Sequence, residues 1–191
     1  MERIFRESVL FENQKFRISG LDKGDYETCT FRACDFSDCD LSAIQFLGCE
    51  FRDCNLSLVR LGLTSFREVK FINSKLLGLH FDDCNSLMIS FEIENCSLDL
   101  CSFGRMKLKK TLFKNSKISE ADFTDTDLTR SIFMNCDLQR TIFKNTNLEG
   151  VDFSTSFNYS IDPDSNRIKK ARFSMQGLAG LLDKYDIEID R

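Results

Sequence analysis

The sequence predicts an all-β solenoid of four-sided coils, and three observations predict it. Phenylalanine recurs every twenty residues, at Phe11, Phe31, Phe51, Phe71 and Phe91, then after two extra residues at Phe113, Phe133 and Phe153. Between these landmarks nearly every fifth residue is large and apolar: 28 of 29 five-residue units have an apolar centre, and 16 of the 19 phenylalanines are such centres. Two residues before each centre the side chain is usually small or modest, and all nine cysteines fall at that one position. A period of five fits neither the helical 3.6 nor the strand alternation of 2, so it marks an internal repeat. In extended backbone, residues two apart share a face, which turns both columns inward and leaves the other three residues to water. Four such sides close a square of twenty residues. Seven coils stacked at roughly 4.8 Å each make a rod about 34 Å long.

The elements follow in order. Residues 1–8 carry Ile4 and Phe5 between charges and read as an N-terminal cap, an incomplete first side covering the end of the stack. An open solenoid end exposes unpaired strand edges and needs such a cover. The coils run cleanly from Val9 to about Gly78, with centre columns headed by Phe11, Phe16, Leu21 and Tyr26. Between Cys84 and Cys96 the pattern falters. Ser86 stands where a centre belongs, with Leu87 and Met88 beside it, and a two-residue insertion is placed between 91 and 98 as a bulge or widened corner. This stretch reads as a tolerated irregularity or as a recognition protrusion.

From Cys96 the repeat is regular to Thr155, so the solenoid is assigned to residues 9–155, ending at Phe153. Asp162-Pro163-Asp164 is a turn signal holding the one proline. Ser174 then offers a helix N-cap, and Met175, Leu178, Leu181 and Leu182 form a stripe at helical spacing, predicting a C-terminal α-helix cap. Ile187 and Ile189 alternate with acids in a short tail. Residues 156–191 are therefore a terminal turn, helix and tail, and their apolar stripe predicts a homodimer: it covers the last coil and meets its two-fold mate.

The repeating unit (small, polar, Leu or Phe, two polar), as in Cys29-Thr30-Phe31-Arg32-Ala33 and Ala121-Asp122-Phe123-Thr124-Asp125, resembles the pentapeptide-repeat proteins. The resemblance implies a right-handed quadrilateral β-helix. The tail resembles the terminal element of the Qnr-type and microcin-immunity members, which protect DNA gyrase. What that implies is a rod that imitates DNA, occupies the DNA path on gyrase or topoisomerase IV, and relieves a quinolone or a peptide toxin. It also implies that two rods pair end to end, with Met175, Leu178, Leu181, Leu182, Ile187 and Ile189 at the interface. The alternative is a structural or interaction rod for another protein partner, since fold does not fix function.

Composition narrows the rest. The formal net charge of −4 argues against generic binding to nucleic acid or acidic membrane. The N-terminus Met1-Glu2-Arg3-Ile4 has charges where a signal peptide has an apolar core. No apolar run approaches the ~20 residues that span a bilayer. Nine cysteines without an export signal read as reduced thiols of a cytoplasmic protein. Thiols five apart lie on different sides of the square and do not converge as zinc ligands do.

The single histidine, His80, sits outward beside Asp82 and Asp83, and no nucleophile, phosphate-loop or metalloprotease motif occurs. No enzyme, cofactor or metal is expected. The basic run Lys107-Leu108-Lys109-Lys110 has an inward leucine and no outward aromatic for stacking a base, and reads as a solvated face. Of the four sides, three balance acids and bases to within one. The Leu21 side has six acids, Asp22, Asp40, Asp82, Asp83, Asp122 and Asp125, against Lys23, Arg60, Arg105 and Lys144. That excess is small and makes this the candidate partner-facing acidic side.

Overall fold

A computed structural model describes residues 3–87 and 89–189. Eleven short strands, numbered in chain order, form two parallel sheets on neighbouring walls of a square, right-handed β-helix. One wall stacks β1 (Ile4–Glu7), β3 (Gly24–Glu27), β5 (Gln45–Leu47) and β7 (Ser65–Arg67). The adjacent wall stacks β2 (Leu10–Glu12), β4 (Thr30–Arg32), β6 (Glu50–Arg52), β8 (Val69–Ile72), β9 (Phe91–Glu94), β10 (Leu112–Lys114) and β11 (Ile132–Met134). Elsewhere the coils are joined by isolated parallel bridges such as Asp35 to Asn55 and Asp122 to Ile142.

The five-residue unit explains this geometry. Its centre points inward, so Phe31, Phe51, Phe71 and Phe123 are fully buried. Like centres stack one coil apart, Phe31 on Phe51 at 4.8 Å and Phe103 on Phe123 at 4.6 Å between ring centroids. Centres on adjoining walls meet edge to face, as Phe31 and Phe36 do at 5.5 Å; such pairs add to simple burial. Two residues after most centres the chain turns in the left-handed region, at Asp53 (φ 56°), Asn73 (50°) and Asn115 (50°) among others. Asparagine and aspartate tolerate that conformation better than most side chains. The residue before the centre is often Asp or Asn because its Oδ1 accepts the N–H two residues on, as in Asp35 to Ser37 (3.0 Å) and Asp122 to Thr124 (2.8 Å).

The position two before the centre does more than fit. The thiols of Cys34, Cys54 and Cys136, and the hydroxyls of Ser74 and Ser156, donate to the carbonyls of Phe11, Phe31, Phe113, Phe51 and Phe133 respectively, each in the preceding coil. At turn-type corners the centre carbonyl already receives the N–H three residues on, as Phe36 does from Cys39 and Leu98 from Cys101. There Val59 and Ala121 fill the slot without a donor, whereas Thr64 and Thr126 still donate to the carbonyls of Leu41 and Phe103. All nine cysteines are free and buried.

Three expectations are corrected. First, the insertion does not lie between 91 and 98. Strand β9 pairs Phe91 with Val69 and Ile93 with Phe71, so Ile93 is the centre and Phe91 fills the small-residue slot. The extra residues therefore precede Phe91. The backbone leaves the wall after Asn85, where Ser86 and Leu87 are exposed, and rejoins at Ser90, whose N–H donates to the Phe66 carbonyl. Met88 lies outside the described residues, as do Met1 and Glu2 of the N-terminal cap.

Second, the coils do not end at Phe153. Arg167 bridges to Asn147 and Arg172 to Asp152, and Phe173 stacks on Phe153 at 5.6 Å, within 11° of parallel. Only the side between them is replaced, by buried Tyr159 and Ile161. Third, the expected C-terminal α-helix is two short 3₁₀ turns, Leu178–Leu181 and Asp183–Tyr185. The glycines decide this. A Cβ on Gly180 would stand 2.0 Å from the Tyr159 carbonyl oxygen and one on Gly177 at 1.8 Å from its hydroxyl. The segment is pressed flat onto Tyr159, with Ile161 N–H donating to Gly180 O (2.9 Å). Lys184 pins it to the Pro163 turn through Asp162 and Asp164.

Candidate partner-binding surface

The six acids of the Leu21 side do not act as one stripe. Asp40 is spent locally: its carboxylate accepts the Ser42 N–H at 2.8 Å and lies 3.3 Å from Lys23 and 3.5 Å from Arg60. The Ser42 hydrogen bonds, then Lys23, hold its carboxyl well below the ordinary range. Two of the side's four bases are thereby cancelled by one acid. Asp22 belongs to the N-terminal coils, where its carbonyl receives the Tyr26 hydroxyl at 2.8 Å.

The other four converge. Asp82, Asp83, Asp122 and Asp125 line one concavity of about 490 Å³, together with Ser86, Ser102, Thr124, Arg105 and Lys107. Asp82 and Asp83 stand on a 3₁₀ turn, Phe81–Asp83, that directs them outward while Phe81 is buried. Asp125 projects from a left-handed corner (φ 58°) two coils on, and Asp82 lies 3.6 Å from His80 Nδ1. The hollow lies where the backbone leaves the wall after Asn85, with Ser86 and Ile89 at its edge. Sequence spacing sorted acids by side but did not show that the irregular segment and the acids share one place.

The terminal surface divides too. Leu181 packs against the core. Met175 is 80% exposed, and Leu178, Leu182, Ile187 and Ile189 are exposed as well. The tail thus leaves an apolar surface beyond the last coil. Among the described residues no group of three or more His, Cys, Asp or Glu side chains is placed to hold a metal, and no helix is long and apolar enough to cross a membrane. Burial raises the thiols of Cys49 and Cys101 to about 12 and those of Cys96 and Cys136 to about 11. A thiol that keeps its proton is a poor nucleophile and a poor ligand.

Comparison with known proteins agrees with the fold. A family model of pentapeptide repeats (8 copies) matches residues 29–67, and a model of the SV2A/B/C luminal domain matches residues 100–161. No curated protein sequence matches the chain. Among solved structures, full-length QnrB1, a plasmid-mediated fluoroquinolone resistance protein, is similar with a TM-score of 0.63 at 16% identity. The likeness covers 96% of this chain and 100% of that one. A trypsin-treated variant of QnrB1 gives 0.64 at 18% identity with the same coverage. HetL, a pentapeptide repeat protein involved in heterocyst differentiation regulation from the cyanobacterium Nostoc sp. strain PCC 7120, gives 0.41 at 13% identity over 89% of this chain and 87% of its own.

Proposed function

Since this chain is a pentapeptide-repeat protein with the fold of QnrB1, we propose that it is a non-enzymatic, DNA-mimicking rod that binds a type II topoisomerase, gyrase or topoisomerase IV. In this reading it protects that enzyme from a quinolone or a peptide toxin. The observation that carries the reading is the gathering of Asp82, Asp83, Asp122 and Asp125 on one wall of the rod. Carboxylates fixed to a stiff, regularly spaced scaffold present negative charge much as phosphates do, and a cleft lined with basic residues recognises the potential before any detail. The exposed Met175, Leu178, Leu182, Ile187 and Ile189 support end-to-end pairing into a homodimer, a two-fold rod for a two-fold enzyme. Nine buried, unbridged thiols suit the cytoplasm, where such an enzyme works. Neither direct nucleic-acid binding nor membrane binding is part of the proposal.

The test is a gyrase supercoiling assay in the presence of a quinolone, titrating this protein. Recovery of supercoiling that is lost when Asp82, Asp83, Asp122 and Asp125 are changed together to Asn supports the reading. No recovery at any ratio, together with no association by pull-down, overturns it. The second reading, an interaction rod for another protein, is favoured by the local cancellation of Asp40 by Lys23 and Arg60, which leaves the N-terminal half of that wall without net negative charge to offer.

A further inference from the structure

The segment that leaves the wall opens a second hollow on its other flank. Its ends are tied to the preceding coil: Asn85 N–H donates to Thr64 O and Ser90 N–H to Phe66 O, each at 2.9 Å, while Ser90 Oγ receives the Glu68 N–H at 2.8 Å. Toward the following coil, no bridge joins Asn85 to Lys107 among the described residues, although Lys75 to Ser97 and His80 to Ser102 are bridged in the same turn of the chain. A slot of about 250 Å³ results. Val69 and Phe91, both buried, and half-buried Ile89 form an apolar floor. Along one rim stand Lys107, Lys109 and Lys110; Lys70, Glu68 and Glu92 stand on the other. Lys109 is engaged by Asp127 at 3.1 Å. Lys107 and Lys110 have no carboxylate within ion-pair distance among the described residues.

We propose that this slot is a docking site for an extended peptide of a partner protein, one that places a carboxylate beside an aliphatic side chain. The gap is what remains where one strand-like side has left a stack of parallel sides, and adjacent sides lie about 4.8 Å apart. An extended segment is therefore the shape that fits. The aliphatic side chain covers half-buried Ile89, the part of the floor that water still reaches. The carboxylate meets Lys107 and Lys110, neither of which is ion-paired among the described residues. An acidic-aliphatic segment matches both halves of the slot, whereas a basic one meets like charge on the lysine rim. The inference does not depend on the partner being a topoisomerase.

The probe is a fluorescein-labelled hexapeptide alternating leucine and glutamate, followed by fluorescence anisotropy against the full chain. Saturable, one-to-one binding is expected, weakening as salt is raised because the charged rim is exposed. The affinity should fall at least tenfold in Lys107→Glu with Lys110→Glu, and as much in Ile89→Asp, which spoils the floor and leaves the lysines. Lys144→Glu, an exposed lysine outside the slot, should bind as the unaltered protein does. A leucine–lysine hexapeptide should not bind. Non-saturable binding, equal affinity in the Lys107/Lys110 double variant, or equal binding of the lysine peptide overturns the proposal. The supercoiling assay reads the topoisomerase reading separately, so either can fail alone.

Discussion

The thiol of Cys54 donates to the carbonyl oxygen of Phe31, 3.3 Å away and one coil earlier. That carbonyl also accepts the ladder N–H of Arg52 from β6, so the thiol gives it a second hydrogen bond. Cys54→Ser, which keeps a donor, should cost no more than about 1 kcal/mol, whereas Cys54→Val should cost about 0.5–1.5 kcal/mol more by deleting that second hydrogen bond. Urea unfolding of the two variants checks this. Equal losses would show that volume alone governs the column.

The core centres should be the costliest positions in the chain. Phe51 and Phe123 have no exposed surface, and each is stacked above and below by like rings, Phe51 by Phe31 and Phe71 and Phe123 by Phe103 and Phe143. Replacing either with Ala should cost about 3–5 kcal/mol. Arg52→Ala removes an ion pair with Glu50 at 2.7 Å on a solvated wall and should cost under about 1 kcal/mol. Chemical denaturation of the three variants separates these outcomes.

Stability should fall on the alkaline side. The thiols of Cys49, Cys96, Cys101 and Cys136 are raised by burial to between about 11 and about 12, while an unfolded chain's thiols ionise near 8.5. A raised folded-state pKa gives stability that is complete below the unfolded value and lost as pH rises through the folded one. Each such thiol should remove up to about 1.4 kcal/mol per pH unit in that window. Urea midpoints at about pH 8 and about pH 10 test the slope, and Cys101→Ala should flatten it by one thiol's share. A thiol reagent should leave all nine cysteines unlabelled until the protein is unfolded.

The terminal surface should govern assembly. Leu178→Asp with Leu182→Asp places charge on exposed apolar positions without touching inward-packed Leu181. Light scattering at tens of micromolar should find a dimer for the intact protein and a monomer for the double variant. A monomer for both would remove the end-to-end rod. Gly180→Ala should instead lower the melting temperature, because its Cβ collides with Tyr159 backbone.

Much of the fold was legible because the repeat states each inward position twice, once by the large centre and once by the small residue before it. Where the sequence misled, a second rule was at work. Phe91 belonged to the twenty-residue column by count, yet strand pairing seats it opposite Val69, a slot that accepts a phenylalanine because Phe81 and Phe71 leave room for its ring at 5.2 and 6.3 Å. The corner residues held a check: Asp53, Asn73, Asn95, Asn115 and Asn135 all lie two after a centre, and that places a centre at Ile93. Asn95 Nδ2 donates to Asn73 Oδ1, and Asn73 Nδ2 to Asp53 Oδ1.

Phe173 likewise continued the column from Phe153 by twenty residues, but the turn at Pro163 hid it. The C-terminal helix failed because leucine spacing is blind to what a segment lies against. The meeting of acids and slot at one coil was not legible at all, since it depends on where the backbone leaves the wall.

That departure also sets how the rod comes apart. Each coil touches only the coil above and the coil below, so stability along the axis is a chain of nearest-neighbour couplings. On the wall of β7 the coupling between Ser65–Arg67 and Lys107 is interrupted, while β8, β9 and β10 run through unbroken on the next. Three sides carry what four carry elsewhere. Fraying that begins at either end therefore meets its weakest joint at this level, and the two halves of the rod are the natural units of partial unfolding.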